Sequence, residues 1–415
     1  MTVRLSLSRD KISVLLLEGI HDTAVQSLED RGYTNITRLP KALEEDELIE
    51  RIRNVHMLGI RSRTQLTERV LNAAEKLFSV GCFCIGTNQV DLKAARRQGV
   101  PVFNAPYSNT RSVAELVLGE IIMLMRGIFE KSQIVHTGGW VKSAKNSYEV
   151  RGKVLGIVGY GHIGTQLSIL AEAVGMRVVF YDIQKKLALG NAQPCASLGE
   201  LLETSDVVTL HVPDTAQTRG MIGAEEIRRM KKGAFLINAA RGMVVEIEAL
   251  AEALKSGHLL GTAIDVFPEE PSSDADEFVS PLRGIPNAIL TPHIGGSTLE
   301  AQANIGDEVS GKLIEYSDNG STVGAVNFPQ VQLPVRDSGT RFLHIHRNIP
   351  GVLRKLNECL TARDLNIAGE YLQTDPEIGY VVVDVEGNVD DREILADLKG
   401  IDGTLRARFL YDRRN

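Results

Sequence analysis

The stretch that decides the fold is Val154-Leu155-Gly156-Ile157-Val158-Gly159-Tyr160-Gly161-His162-Ile163-Gly164, in which an apolar, β-rich segment leads into a glycine-rich turn. The glycines follow the spacing G-x-G-x-x-G. A helical pattern over residues 165–174 and a second β-rich segment over residues 177–181 come next. A strand, a glycine turn, a helix and a second strand in this order predict the βαβ unit of a dinucleotide-binding fold.

Each part of this unit has a physical task in binding a dinucleotide. Gly159 permits a tight turn, Gly161 lets the backbone approach a pyrophosphate, and Gly164 lets the helix pack closely on the sheet. The N-terminus of the helix favours the negative charge of the phosphates. Asp182 ends the second strand, where a carboxylate accepts a hydrogen bond from a ribose 2′-hydroxyl and repels a 2′-phosphate. The sequence therefore predicts NAD, and not NADP, as the cofactor.

Size and composition are those of a globular protein with several domains. The chain has 415 residues, of which 43% are hydrophobic, and a formal net charge of −7. This acidic balance argues against nucleic acid or a membrane surface as a partner. The longest apolar stretch, residues 113–125, is interrupted by Glu115 and Glu120 and is too short to span a bilayer. We therefore expect a cytoplasmic protein, with four cysteines that form neither a disulfide nor a metal site.

Strand-like and helix-like patterns alternate along most of the chain, which predicts parallel sheets. From residue 341 the pattern changes to βαββαβ, the order of a ferredoxin-like module. The predicted fold is α/β, with two Rossmann or flavodoxin-like, doubly wound parallel-sheet domains and a C-terminal ferredoxin-like βαββαβ domain. The predicted boundaries are 1–110 with 299–328 for a discontinuous substrate-binding domain, 111–298 for the NAD-binding domain, 329–340 for a linker and 341–415 for the C-terminal domain.

Candidate reactive side chains follow the predicted strands of the cofactor domain, at the end where open α/β sheets bind ligands. Arg241 offers a planar fork that can hold a carboxylate through two hydrogen bonds. His293 is the candidate general acid and base, because reducing a ketone by hydride requires a proton for the developing alkoxide and imidazole exchanges protons near neutral pH. Glu270, on a loop flanked by prolines, is suited to orient the histidine ring, but Glu269 is a rival that the residues alone do not exclude.

Two arginines of the first domain, Arg61 and Arg63, follow a predicted strand. Arginines one residue apart suit a phosphate or a second carboxylate. A solvated basic turn would show the same pattern.

At these residues the chain resembles the D-isomer-specific 2-hydroxy acid dehydrogenase family, nearly from end to end. The family motifs are carried by residues 159–164, 182, 238–242, 265–271 and 291–297. The resemblance implies that His293 is the catalytic histidine, Glu270 its carboxylate partner and Arg241 the arginine that binds the substrate carboxylate. It also implies a cofactor site formed by Gly159, Gly161, His162, Ile163, Gly164, Asp182, Ala239, Asp265, His293 and Gly295, and a substrate site formed by Arg61, Arg63, Asn109 and Lys142. Lys41 is two residues out of register with a family lysine and is not assigned.

The similarity is greatest to family members that carry a C-terminal ACT module. It implies NAD-dependent oxidation of 3-phospho-D-glycerate (3-phosphoglycerate) to 3-phosphohydroxypyruvate, the first step of L-serine biosynthesis. The expected assembly is a homotetramer, with a C₂ dimer as the alternative. It further implies feedback inhibition by L-serine, bound between paired ACT modules, and leaves open a side reduction of 2-oxoglutarate. The residues that match the effector ligands are His346, Asn348 and Asn366.

Two alternatives remain. A dehydrogenase of the same fold that acts on an unphosphorylated 2-hydroxy acid would differ in what Arg61 and Arg63 bind. A regulatory protein that responds to NAD would keep the fold but would not need the set of Arg241, Glu270 and His293.

Overall fold

The structure is a computed structural model, and it describes residues 4–5, 7–271, 276–334, 339–386 and 391–412. Tertiary contacts divide the chain into two compact units, residues 1–108 with 302–415 and residues 109–301. The more detailed domain boundaries stay predictions, and residues 335–338 of the predicted linker lie outside the described residues. No helix in the described part of the chain is both long enough and apolar enough to cross a bilayer.

The N-terminal part of the first unit contains a parallel sheet surrounded by helices. Its described elements are β1 (Arg4–Leu5), β2 (Val14–Leu16), α1 (Asp22–Asp30), β3 (Ile36–Arg38), α2 (Glu45–Ile52), β4 (Met57–Ile60), α3 (Glu68–Ala73), β5 (Ser79–Cys82), α4 (Leu92–Arg97) and β6 (Val102–Asn104). The sheet has the strand order β3-β2-β4-β5-β6, and all neighbours are parallel. β4 and β5 are buried along their whole length, as expected for strands covered on both faces.

The second unit contains a larger parallel sheet. Its described elements are α5 (Thr110–Arg126), α6 (Ile128–His136), β7 (Val154–Val158), α7 (His162–Ala173), β8 (Arg177–Tyr181), β9 (Gln193–Pro194), α8 (Leu198–Thr204), β10 (Val207–Leu210), α9 (Ala224–Arg229), β11 (Ala234–Asn238), α10 (Ile247–Lys255), β12 (Leu259–Ile264) and β13 (Ala288–Leu290). The strand order is β13-β12-β11-β10-β7-β8-β9. The order reverses between β7 and β10, and ligands of doubly wound sheets bind at such a switch point.

The C-terminal part forms an antiparallel sheet after a long helix. The remaining described elements are α11 (Leu299–Asn319), β14 (Thr340–Arg347), α12 (Val352–Thr361), β15 (Asn366–Thr374), β16 (Ile378–Glu386), α13 (Asp391–Gly400), β17 (Thr404–Phe409) and β18 (Tyr411–Asp412). β14 to β17 form a sheet of order β15-β16-β14-β17, so the predicted βαββαβ module is confirmed. Together with the two parallel sheets, it confirms the predicted fold class.

The C-terminal module is anchored to the rest of the first unit. Arg341 is fully buried, forms a bidentate ion pair with Asp384 at 2.7 and 2.9 Å, and donates to the carbonyl groups of Asn319 and Pro334 at 3.0 Å. A buried charge is tolerated when it is paired and hydrogen-bonded in this way. β1 also pairs with β18, which joins the two ends of the chain.

Candidate active site

The glycine-rich turn after β7 has the geometry that its spacing predicts. Gly159 has a φ of +93°, and a Cβ atom there would lie 2.6 Å from the carbonyl oxygen of His211. A Cβ atom on Gly164 would lie 2.4 Å from the carbonyl oxygen of Gly159. At Gly161 a Cβ atom would meet no protein atom within 4 Å. The first and third glycines are therefore required by the protein itself, while the space in front of Gly161 is open.

The neighbouring groups fit a dinucleotide. α7 begins immediately after Gly161, which has no side chain to cap the first N–H groups of the helix. Asp182 follows β8, and its carboxylate accepts hydrogen bonds from the backbone N–H groups of Tyr160 at 2.9 Å and Gln184 at 2.8 Å. A fixed carboxylate beside a helix N-terminus matches the ribose and pyrophosphate of NAD. His162 and Ile163 open the same helix, and Ala239 follows β11.

The structure brings His293 and Glu270 together. The Nδ1 atom of His293 lies 2.9 Å from Oε2 of Glu270. The other carboxylate oxygen of Glu270 accepts a hydrogen bond from the backbone N–H of Phe267 at 3.1 Å, which holds the carboxylate in place. Glu270, and not its rival Glu269, is therefore the carboxylate that orients the ring.

The pair changes the titration of both groups. The hydrogen bond that the ring donates to Glu270 raises the pKa of His293 above its ordinary value, although burial opposes the rise, and the charge of Asp265 adds to it. Burial opposes ionisation of Glu270, but the hydrogen bond and charge of His293, together with Arg241, lower the pKa of the carboxyl group. The protonated imidazole is favoured as a result, as a proton donor near neutral pH requires.

Asp265 anchors the loop that carries His293. Its carboxylate is 1% exposed and accepts hydrogen bonds from the Thr291 hydroxyl at 2.6 Å and from the backbone N–H groups of Ile294 and Gly295 at 2.8 Å. His293 itself has a φ of +55°, a left-handed conformation that is unfavourable for a residue with a Cβ atom. These bonds hold the loop around that strained residue. The sequence did not reveal this anchoring role, and the predicted contact of Asp265 with the nicotinamide amide stays a prediction.

Arg241 follows β11 on a loop that packs against the loop of Glu270. A Cβ atom on Gly242 would lie 2.0 Å from the carbonyl carbon of Phe267, so only glycine permits this approach. The side chain of Asn238 donates to the carbonyl oxygen of Arg241 at 3.0 Å. The charge of Arg241 acts on both Glu270 and His293. The three predicted catalytic side chains therefore belong to one electrostatic cluster.

Asn109 lies at the start of α5, against the loop that follows His293. A Cβ atom on Gly296 would lie 2.3 Å from Nδ2 of Asn109. The Oδ1 atom of Asn109 is buried and accepts no hydrogen bond within the described residues. Lys142, in contrast, is exposed on an irregular segment, and no described hydrogen bond or ion pair joins it to the other predicted residues.

Glu120 is a buried acid that the sequence motifs did not indicate as a functional residue. It lies within α5, is 1% exposed, and neither carboxylate oxygen has a hydrogen-bond partner among the described residues. Burial, and then the charge of Asp265, raise the pKa of Glu120 to about 8. Its carboxyl group is therefore mostly protonated at neutral pH. The sequence feature that could have indicated it is an acidic residue within the apolar stretch of residues 113–125.

In the first unit, Arg61 and Arg63 lie on a loop organised by Glu18. The Glu18 carboxylate accepts hydrogen bonds from the backbone N–H groups of Arg61 and Arg63 at 3.0 Å and of Thr64 at 2.9 Å. Glu18 is 9% exposed and has a φ of +61°. The backbone of this loop is therefore fixed, and the Arg61 guanidinium also donates to the carbonyl oxygen of Glu18 at 3.4 Å.

The three predicted effector residues do not converge in one chain. His346 is 2% exposed near the end of β14 and lies opposite Gly379 of β16. Asn348 follows β14, and its side chain donates to the carbonyl oxygen of Asp375 at 2.7 Å. Asn366 lies opposite Glu386, at the other end of β16. At about 3.4 Å per residue the two ends are roughly 24 Å apart, so a site that uses all three residues requires a second copy of the module.

Within the described residues, no group of three or more His, Cys, Asp or Glu side chains is arranged to hold a metal ion.

Comparison with known proteins identifies two domains. Residues 118–295 match the model of the NAD binding domain of D-isomer specific 2-hydroxyacid dehydrogenases. Residues 342–406 match the model of the AHAS small subunit-like ACT domain.

Relatives extend over the whole chain. It is 61% identical over 411 residues to a D-3-phosphoglycerate dehydrogenase of Haemophilus influenzae, covering 99% of this chain and 100% of the relative. It is 59% identical over 409 residues to D-3-phosphoglycerate dehydrogenase of Escherichia coli strain K12, covering 98% and 100%. Among solved structures, D-lactate dehydrogenase of Aquifex aeolicus with NAD and lactic acid aligns with a TM-score of 0.66 at 26% identity, covering 77% of this chain and 100% of that one.

Proposed function

Because the chain belongs to the D-isomer specific 2-hydroxyacid dehydrogenase family and carries an ACT domain, we propose that it oxidises 3-phospho-D-glycerate to 3-phosphohydroxypyruvate with NAD. Membership of the family makes it an NAD-dependent dehydrogenase of 2-hydroxy acids. The choice of substrate rests on one observation: over nearly its full length the chain is 59% to 61% identical to relatives named D-3-phosphoglycerate dehydrogenase. We place this reaction in the cytoplasm, as the first step of L-serine biosynthesis.

The cluster in the second unit supports the proposed catalytic roles. Arg241 holds the substrate carboxylate and so orients C2. Because Nδ1 of His293 is engaged by Glu270, Nε2 is the atom that takes the hydroxyl proton in oxidation and returns it in reduction. Glu270 stabilises the imidazolium that forms. NAD, when bound, supplies the hydride acceptor.

In the first unit, positively charged side chains are proposed to bind the substrate phosphate. Arg61 and Arg63 bind the phosphate of the substrate, and the loop fixed by Glu18 presents them. We also assign a role in substrate binding to Asn109 and Lys142, which belong to the second unit. The unphosphorylated alternative substrates lack the group that these arginines would bind. We also propose that the enzyme reduces 2-oxoglutarate as a side reaction, because the second carboxylate of 2-oxoglutarate is negatively charged like the phosphate.

The proposed effector is L-serine, bound between ACT modules of a homotetramer. The separation of His346 and Asn348 from Asn366 within one sheet supports a site shared by two copies. Inhibition then requires that serine bind the less active arrangement more tightly.

The test follows NADH fluorescence with 3-phosphohydroxypyruvate, 2-oxoglutarate and pyruvate, each with and without L-serine. We expect the highest kcat/KM for the phosphorylated substrate and inhibition by serine. Arg63→Gln should lose at least about tenfold in kcat/KM for that substrate, while the exposed Arg53→Gln should not. Equal rates with pyruvate would contradict the proposed substrate, and no NADH oxidation with any 2-oxo acid would favour a regulatory protein.

A further inference from the structure

A basic cavity of about 630 Å³ lies within the first unit, separate from the residues proposed above for catalysis and for serine. It lies where β17 and α13 of the C-terminal module meet the N-terminal part. Five basic side chains line it: His56, Lys76, Lys399, Arg406 and Arg408. No acidic side chain is among its described lining residues. The positive charges of the two lysines and two arginines repel one another unless an anion lies among them.

Arg408 has an unused buried donor. Its guanidinium lies over the ring of Phe78, 4.0 Å from the centroid, and 5.6 Å from the centroid of Tyr316. The Nη1 atom is buried and has no hydrogen-bond partner within the described residues. A buried guanidinium N–H without an acceptor is unfavourable. Packing against the rings accounts for the position of the group but leaves this donor without an acceptor.

Arg406 differs from Arg408 in having a protein acceptor. Its Nη1 atom donates to the carbonyl oxygen of Leu77 at 2.5 Å. Burial, together with the charge of Arg408, lowers the pKa of Arg406. Arg406 therefore has a structural role at this contact and also contributes charge to the cavity.

His56 offers a neutral donor from the N-terminal part of the unit. Its Nδ1 atom accepts a hydrogen bond from the backbone N–H of Ser13 at 3.0 Å, so the proton of the neutral ring lies on Nε2. Burial, and then the charges of Lys76 and Arg408, lower the pKa of His56. The cavity thus combines a positive field with hydrogen-bond donors from two parts of the chain.

We propose that this cavity binds a small phosphate ester, with its phosphoryl group among Arg408, Lys76 and Lys399. The apolar lining side chains, including Leu7, Ile12, Phe78, Leu395 and Leu405, suit the organic part of the ligand. The volume exceeds what inorganic phosphate needs and lies within the usual range of small-molecule sites. Several charged donors suit a doubly charged tetrahedral anion better than a single carboxylate.

The test measures binding of labelled inorganic phosphate to the full chain by equilibrium dialysis at constant ionic strength. An Arg61→Gln, Arg63→Gln background removes the phosphate site of the proposed function, so failure of one proposal is distinguishable from failure of the other. In that background we expect Arg408→Gln and Lys76→Gln each to weaken phosphate binding by at least about tenfold. Lys93→Gln, an exposed lysine of the same unit outside the cavity lining, should leave it unchanged.

Lys76 is exposed, so its variant tests the site even if replacement of Arg408 disturbs folding. Phosphate affinity that is the same in Lys76→Gln and Lys93→Gln would overturn the proposal. So would phosphate binding in the double arginine background that is no stronger than the binding of chloride.

Discussion

Replacing Glu270 by Gln tests the central pair of the proposed active site. Glutamine has nearly the same shape, but it lacks the charge that favours the imidazolium of His293. The wild-type hydrogen bond joins Nδ1 of His293 to Oε2 of Glu270 at 2.9 Å, and the side chains are 51% and 38% exposed. The substitution therefore removes an electrostatic contact without opening a cavity.

The magnitude follows from the cost of a charge-assisted hydrogen bond. Such bonds contribute about 1.5–3 kcal/mol, and about 1.4 kcal/mol corresponds to one pKa unit. Because both side chains are more than a third exposed, solvent screening reduces the effect, and we expect the pKa of His293 to fall by about one unit. The folded pKa of His293 is raised, so the stability from the pair is present below the ordinary pKa of histidine and is lost as pH rises through the raised value.

The assay measures kcat/KM for reduction of 3-phosphohydroxypyruvate by NADH from about pH 5.5 to about pH 9.5. Reduction requires protonated His293, so activity should fall as pH rises through its pKa. In Glu270→Gln this fall should begin about one unit lower. Glu269→Gln is the matched control and should keep the wild-type profile. A profile that does not move in Glu270→Gln, or moves equally in Glu269→Gln, would refute the role of the pair.

Three further predictions concern other parts of the molecule. Gly161→Ala should weaken NADH binding, measured by fluorescence, without lowering Tm, because a Cβ atom at this position meets no protein atom. Gly164→Ala should also lower Tm, by the equivalent of about 1–3 kcal/mol. An equal Tm in the two variants would contradict this prediction. Glu18→Gln should raise KM for the phosphorylated substrate about threefold to tenfold, because it weakens the hydrogen bonds that hold the arginine loop by roughly 1 kcal/mol. An unchanged KM would show that Glu18 does not position the substrate. Asp384→Asn should destabilise the chain by about 3–5 kcal/mol in denaturant unfolding, because its arginine partner is 0% exposed, whereas Asp402→Asn, in a surface pair, should cost at most about 1 kcal/mol. Similar losses in the two variants would show that burial of the pair does not matter.

Local patterns in the sequence were sufficient for the fold class and the cofactor. The glycine spacing and the acid at the end of the next strand predicted the turn around Gly159 and the position of Asp182, because backbone sterics and strand length act between near neighbours. Alternating strands and helices predicted the parallel sheets for the same reason. The family resemblance added the proposed roles of Arg241, Glu270 and His293.

Contacts between distant positions were decided only by the tertiary structure. Spacing did not distinguish Glu269 from Glu270, because the direction of each side chain depends on how the loop packs against the neighbouring loops. The anchoring of the histidine loop by Asp265 and of the arginine loop by Glu18 joins residues that are far apart in the chain. Sequence periodicity records which face of an element is buried, but it does not record which buried groups meet, and this is a property of packing alone.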